Sequence, residues 1–373
     1  MTAKNAIFIA ATGQNVGKTT LCLGIIAALK KRYSSVGFIK PVGQRHVKID
    51  GNTNVDKDVV LFKENFNLSA NWSDMSPVII PSGFTRSFLD KEITEEQMLH
   101  DIQAAYHNIA SQNAYTVVEG TGHVGVGSIV NLNNAKIAAA LGLNMVIIAS
   151  AGLGSAFDEL ALNITMCRSY GVNIQGVILN RIQDNKREMI LEYFPKALAR
   201  WNVPLIGYVP YSEILNNPTM KDFEGLFNTT LLSGQNYYYR NFAHARLIAG
   251  SLEAYEAEIL INQLVITPAS REDIIIRTLT AHQVEMENGG DFQGGMILTG
   301  RQPPTDEILE KIRCADIPII YAPLCSYDAM KMITSFTAKI RKEDTAKISQ
   351  AIKLVEKNVD FDLLTKIELL TIQ

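Results

Sequence analysis

Short, unbroken apolar runs alternate with stretches of helical period along the first part of the chain. Runs at 6–10, 36–40, 115–119, 145–149, 176–180 and 205–209 read as strands. Such continuous runs lack the in–out alternation of a half-exposed sheet, so both faces of these strands must be covered. Helical spacing fills the intervals at 19–31, 95–110, 135–141, 157–170 and 187–201. Strand and helix in strict alternation predict a doubly covered parallel sheet of the α/β class, joined by right-handed crossovers. After Pro210 the pattern weakens. Asn216, Asn217 and Pro218, then the polar stretch 225–239 with Tyr237, Tyr238 and Tyr239, read as a linker. A second alternation follows, with strands at 264–267, 296–299 and 318–322 and helices at 272–282, 306–314 and 345–356. The expected organisation is a domain at 1–222, a linker at 223–245 and a smaller α/β domain at 246–373.

Composition narrows the function. With 373 residues, 47% hydrophobic and 20% charged, the chain has room for two ordinary cores. A net charge of −3 with dispersed Lys and Arg offers no basic field for nucleic acid. No apolar run is long enough to span a membrane, and the opening segment 1–11 leads directly into a glycine loop rather than a cleavage site. Cys22, Cys167, Cys314 and Cys325 form no close metal-ligand pair and are expected to be reduced thiols of a cytoplasmic protein.

The most informative segment directly follows the first strand: Ala11, Thr12, Gly13, Gln14, Asn15, Val16, Gly17, Lys18, Thr19, Thr20. Strand, glycine loop, Lys-Thr and helix, in that order, define a phosphate-binding loop. Gly13 and Gly17 let the backbone wrap around oxygens, and successive N–H groups with the helix N-terminus face the anion. Lys18 is expected to reach the β- and γ-phosphates and Thr19 to ligate Mg²⁺, so ATP with Mg²⁺ is the expected ligand and Gly13 to Thr20 its cradle. Asp58 opens a helical segment and Glu119 ends a buried strand; both are hard oxygen donors suited to Mg²⁺. Lys40 ends another strand, on the edge where open α/β sheets bind ligands, and is placed to neutralise a transferring phosphoryl group. Ser155 with Asp158 reads as a capping box, and His123 as an exposed loop residue.

These segments together resemble dethiobiotin synthetase and its relatives over about 5–222. Thr12 stands where the general loop has glycine, as it does there. Phe38-Ile39-Lys40-Pro41-Val42 is similar to the strand-end lysine motif, and Val117-Val118-Glu119-Gly120-Thr121-Gly122 to the strand-end Glu-Gly motif. The resemblance implies that Asn180, in Leu179-Asn180-Arg181, reads adenine, and that Pro210 and Tyr211 begin a base-side loop. Gly122 to Ser128 departs from that family's continuation, so dethiobiotin formation is not expected to carry over. The second segment, over about 240–360, resembles the DRTGG domain, the regulatory middle domain of long bacterial phosphotransacetylases. There, Ser270 replaces the usual Asp before Arg271, and Arg271 at a helix start is placed to meet an anion. The acetyl-transfer domain of those enzymes is not found up to Gln373, so no acetyl transfer is expected.

Two functions fit these residues. One is an ATP-dependent enzyme that activates a small substrate by phosphoryl transfer, with Lys18 and Lys40 as its catalytic groups. The other, favoured by the regulatory second segment, is a nucleotide-responsive regulator with slow hydrolysis that acts on its second domain or on a protein partner. Because Lys18, Lys40, Asp58 and Glu119 gather on one open sheet edge, a second subunit is the expected lid, and the protein is expected to be a homodimer.

Overall fold

The computed structural model describes residues 5–51 and 53–366. The ends 1–4 and 367–373, included in the expected domain ranges, lie outside the described residues. The chain divides into two compact units. One comprises 1–212 together with 340–373, and the other 213–339.

The first unit is built on β1 (Ala6–Ala11), α1 (Lys18–Arg32), β2 (Val36–Ile39), the hairpin β3 (His46–Ile49) and β4 (Thr53–Asp56), α2 (Lys57–Phe66) and α3 (Glu95–Ser111). It continues through β5 (Tyr115–His123), α4 (Asn134–Leu141), β6 (Met145–Ser150), α5 (Ser155–Ser169), β7 (Ile174–Ile182), α6 (Arg187–Ala199) and β8 (Leu205–Pro210). Six strands form one all-parallel sheet in the order β8-β7-β6-β1-β5-β2. Residues 7–11 of β1 and 145–149 of β6 are buried throughout, as their continuous apolar runs require. From β1 the chain passes to β2 on one side, while from β5 it passes to β6 on the other. The sheet's order therefore reverses between β1 and β5, which opens a crevice at their C-terminal ends. The capping box expected at Ser155 and Asp158 does not form. Ser155 is already the first helical residue, and Gly154 occupies the cap position without a side chain to accept from the first-turn N–H groups.

The second unit holds α7 (Met220–Phe227), β9 (Leu231–Ser233), β10 (His244–Leu247), α8 (Leu252–Glu256), β11 (Gln263–Pro268), α9 (Glu272–Glu287), β12 (Gly295–Thr299), α10 (Asp306–Cys314), β13 (Ile319–Ala322) and α11 (Ser326–Ser335). Its sheet runs β9-β13-β12-β11-β10, parallel except for β9. Successive strand residues alternate between two cores. Val265, Met296, Leu298 and Ile319 pack with Ile274, Ile308 and Ile312; Leu264, Ile266, Ile297 and Ile320 pack with Phe223, Phe227 and Ile333. The stretch 223–245, expected as a linker, is therefore part of this unit. Phe227, Leu231 and Phe242 are buried in its second core, their apolar spacing hidden among polar neighbours.

The chain then returns to the first unit as α12 (Thr345–Asn358) and α13 (Phe361–Thr365). This departs from the expected 246–373 domain, and the reason is packing. Ile348, Ala351 and Val355 form the buried stripe of α12, which lies along α1. Gly24 of α1 marks the closest approach: a Cβ there would fall 2.3 Å from the Cβ of Val355. Around this seam Lys31 pairs with Glu356 at 2.5 Å and Arg32 with Asp362 at 2.7 Å, while Gln175 donates to the carbonyls of Leu363 and Lys366.

Candidate functional site

The loop between β1 and α1 takes the shape its sequence demands. Gly17 caps α1 at φ 105°, a left-handed conformation, and a Cβ there would meet Asn180 Nδ2 at 2.1 Å. Glycine is required on both counts. Asn15 also adopts a left-handed φ, of 59°, which asparagine tolerates better than most residues. Val16 turns inward and is buried, whereas Gln14 and Asn15 face solvent. The back of the loop is braced from β7: Asn180 Nδ2 donates to the Val16 carbonyl at 2.7 Å, and its Oδ1 accepts from the Arg181 N–H at 2.9 Å. Asn180 is thus hydrogen-bonded at both ends of its amide within the chain. Its neighbour Arg181 sits at φ 60°, a strained position for a long side chain.

Across the crevice, Lys18 Nζ donates to the Gly122 carbonyl at the end of β5, at 2.6 Å. The Thr19 hydroxyl donates to Glu119 Oε1 at 3.1 Å, while Glu119 Oε2 is buried without a hydrogen-bond partner. On the far side Lys40 forms ion pairs with Asp58 and, at 3.1 Å, with Asp56 Oδ1. The structure thus brings Thr19 and Glu119 together, while Asp58 is engaged by Lys40. Among the described residues, no three His, Cys, Asp or Glu side chains converge as a metal cage.

These charges share a buried volume, and each shapes the others. Three carboxylates (Asp56, Asp58, Glu119) face two ammonium groups (Lys18, Lys40), which leaves one negative charge in excess. Burial raises the Glu119 carboxyl to about 7, opposed by Lys40 and Lys18 and reinforced by Asp58. Burial lowers Lys18 to about 8, with Glu119 pulling the other way. Burial also works against charge on Lys40, but Asp58, Glu119 and Asp56 outweigh it and hold the amine protonated. Cys22, one turn beyond Lys18 in α1, is driven well above the usual thiol range by burial and by Glu119, so it stays a neutral core residue.

Three residues that sequence reasoning missed hold this arrangement. Asn134 accepts from the Thr121 N–H at 3.1 Å and donates to the carbonyls of Thr121 and His123, which fixes the end of β5. Asn163 accepts from the Val124 N–H at 2.9 Å and donates to the Thr12 carbonyl at 3.3 Å, tying the loop after β5 to the start of the phosphate loop. Asp56 anchors Lys40. The sequence signals were faint: an asparagine at the start of a helical stretch, one inside a helix, and a second acid two residues before Asp58. His123 is exposed, as expected, and its Nδ1 accepts from the Gly125 N–H at 3.1 Å. In the second unit, Arg271 is engaged by Asp273 through two 2.8 Å bonds and by the Gly250 carbonyl. Arg271 itself occupies the cap position of α9, with Ser270 outside the helix.

A parallel sheet whose first strand runs through a left-handed glycine into a helix starting Lys-Thr, beside a buried acid on a neighbouring strand, defines a P-loop nucleotide-binding fold. Residues 5–219 match the family model described as an AAA domain; that is 215 of 373 residues, and the chain belongs to this family. Residues 226–336 match the model of the DRTGG domain. The chain is 26% identical over 381 residues to the phosphate acetyltransferase of Pseudomonas aeruginosa, covering 96% of this chain and 51% of that protein. It is 27% identical over 370 residues to that of Pseudomonas putida, covering 95% and 50%. The chain spans about half the length of these curated relatives. Among solved structures, the MinC:MinD cell division protein complex of Aquifex aeolicus aligns with 57% of this chain and 83% of that chain, at 18% identity and a TM-score of 0.36. No helix among the described residues is long and apolar enough to cross a membrane.

Proposed function

We propose that the first unit binds ATP with Mg²⁺ and that the protein is a nucleotide-responsive regulator with slow hydrolysis. The observation that carries this reading is the buried Glu119 Oε2, which lacks a partner beside the Thr19 hydroxyl at the mouth of the phosphate loop. An orphaned carboxylate oxygen is costly, and a hard cation next to phosphate relieves it. Thr19, Glu119 and Asp58 are the residues suited to hold that ion, which when bound supplies charge neutralisation on the phosphate oxygens. Lys18 exchanges the Gly122 carbonyl for phosphate, and the N–H groups of 13–20 complete the cradle.

The lean toward regulation rests on Lys40. Two carboxylates already satisfy it, so it offers no free cation to an acidic co-substrate, as a synthetase would need. The similarity to phosphate acetyltransferases over half their length, and the DRTGG match, support a role that controls another activity, in this chain or in a partner. We place this activity in the cytoplasm and expect a homodimer that closes over the crevice between β1 and β5.

Titration calorimetry tests the reading. Lys18→Ala lowers Mg-ATP affinity at least about 100-fold while the melting temperature holds, since a charge-assisted phosphate contact is lost and no apolar core packing is removed. Unchanged affinity would overturn the assignment of the loop.

A further inference from the structure

Arg181 occupies a backbone position that glycine would fill with less strain. Where β7 pairs with β8, Asn180 faces Val209 and Ile182 faces Pro210, so Arg181 is skipped. Beyond the skip, the Tyr211 N–H resumes the ladder by donating to the Ile182 carbonyl at 2.8 Å. Arg181 is thus the extra residue of a bulge, and its φ of 60° is left-handed. Its side chain does not repay this strain within the fold. It is half-buried, and among the described residues no carbonyl or carboxylate accepts from the guanidinium. Burial works against its charge, and the nearby Tyr211 works in favour of it. Strained residues persist where a function holds them, and bulges re-aim side chains beside ligand sites.

The bulge lies at the C-terminal ends of β7 and β8, on the rim where open parallel sheets hold ligands. It is one residue from Asn180, the brace of the phosphate loop. Resemblance to dethiobiotin synthetase gives Asn180 the reading of adenine, but its packing favours another role. Asn180 is 5% exposed, and its Nδ2 lies so close beneath the loop that a Cβ on Gly17 would fall 2.1 Å from it. Both ends of the amide are bonded to backbone, at the Val16 carbonyl and the Arg181 N–H. What remains at this rim is a planar cation without an acceptor and a phenol ring, Tyr211 being 40% exposed.

Hydrogen-bonding edges tell one base from another, whereas a flat cation and a ring do not. Every base has a π-face, and a guanidinium stacks on such faces better than an ammonium does. The phosphates, for their part, have Lys18 and the N–H groups of the loop. We infer that Arg181, with Tyr211, holds the base of the bound nucleotide by stacking, so that the site takes nucleoside triphosphates without reading the edge of the base. Asn180 then serves to brace the loop. This inference rests on the proposed function and widens its ligand from ATP to a class.

Titration calorimetry with the Mg²⁺ complexes of ATP, GTP, CTP and inorganic tripolyphosphate tests it. In the wild type, ATP and GTP bind within about threefold of each other and CTP within about tenfold, because stacking tolerates any base. Arg181→Asn suits the left-handed backbone, so the ligand-free melting temperature stays within about 2 °C of the wild type or rises. The same variant lowers affinity for all three nucleotides about tenfold and leaves that for tripolyphosphate within about twofold. Arg181→Lys, which keeps the charge and loses the plane, recovers less than about threefold of this loss.

A preference for ATP above about 30-fold over GTP and CTP would overturn the inference, since that requires hydrogen bonds to the base edge. So would an equal loss of tripolyphosphate affinity in Arg181→Asn, or full recovery in Arg181→Lys, either of which makes the residue a phosphate ligand. Unchanged nucleotide affinity in Arg181→Asn would overturn this inference alone. A wild type that binds neither ATP nor tripolyphosphate would overturn the proposed function, and this inference with it. Should the variants fail to fold, the wild-type nucleotide series decides.

Discussion

Gly24→Ala gives the sharpest test of how the first unit is completed. Helix propensity alone favours the change, since alanine in a helix interior is better than glycine by about 1 kcal/mol. The structure predicts the opposite sign. The added Cβ would lie 2.3 Å from Val355 Cβ and 2.7 Å from both Val355 Cγ atoms, well inside van der Waals contact, and no flexible chain end is there to swing aside. Helices α1 and α12 must separate by about an ångström, which loosens the stripe of Ile348, Ala351 and Val355. Overpacking of this kind costs about 1–3 kcal/mol, and the part that exceeds the propensity gain leaves a net loss of up to about 2 kcal/mol. The first unit spans 212 + 34 = 246 residues, a size at which each kcal/mol moves the midpoint by about 2–4 °C. A drop of up to about 8 °C by calorimetry is therefore expected, with faster amide exchange confined to α12 and the facing turns of α1. Val355→Gly, which removes the opposing atoms, costs stability alone but restores part of it in the Gly24→Ala background. A rise in melting temperature on Gly24→Ala would refute the close contact, and with it the placement of the C-terminal helix.

Other perturbations follow from the charge cluster and the loop. Glu119 has a folded pKa near 7, above its ordinary 4.5, so the folded state holds an extra proton between those values. The stability this gives is present below about pH 4.5 and lost as pH rises through 7; Glu119→Gln removes the slope and stabilises the ligand-free protein at pH 8 by on the order of 3 kcal/mol, read from urea melts at pH 5 and 8. A less stable Glu119→Gln at pH 8 would contradict the raised pKa. Gly17→Ala combines a left-handed φ with a clash on Asn180 and should abolish Mg-ATP binding in calorimetry; retained affinity would mean the loop adopts another shape. Asn163→Ala cuts the tie between Val124 and Thr12 and is expected to cost about 1–3 kcal/mol, from buried groups left unpaired, in a denaturant titration. Light scattering with and without Mg-ATP checks the homodimer: a species near 41 kDa in both conditions would exclude it.

The legible parts of the chain were those whose information is local. Six strands of the main sheet announced themselves as apolar runs, and the phosphate loop did so through the short string from Gly13 to Thr19. Lys40, Asp58 and Glu119 were marked by their places at element ends. What stayed hidden depends on contacts between distant residues. Asn163 bonds to a carbonyl 151 positions away, and nothing in the sequence around it distinguishes that amide from a solvent-facing one. Asp56 looked like a neighbour of Asp58 rather than the anchor of Lys40, because only the hairpin of β3 and β4 turns it inward. The helix at 345–356 was read correctly as a helix, but its apolar stripe carries no address. It fits α1 only because Gly24 leaves a gap, and that complementarity is shared between residues more than 300 positions apart.

The return of the chain to its first unit also fixes an order of events during synthesis. Contact between Gly24 and Val355 closes a loop of 355 − 24 = 331 residues, and that closure entropy must be met before the contact gives anything back. On a ribosome adding about 5–20 residues each second, the segment 213–339 emerges before α12 does. The second unit is therefore complete in sequence first, although it comes later in the chain than the phosphate loop, and until α12 emerges the flank of α1 stays uncovered. During that interval the face of α1 around Gly24 lacks its cover, and nascent chains stalled before Val355 are expected to be the ones most exposed to aggregation and to chaperone capture.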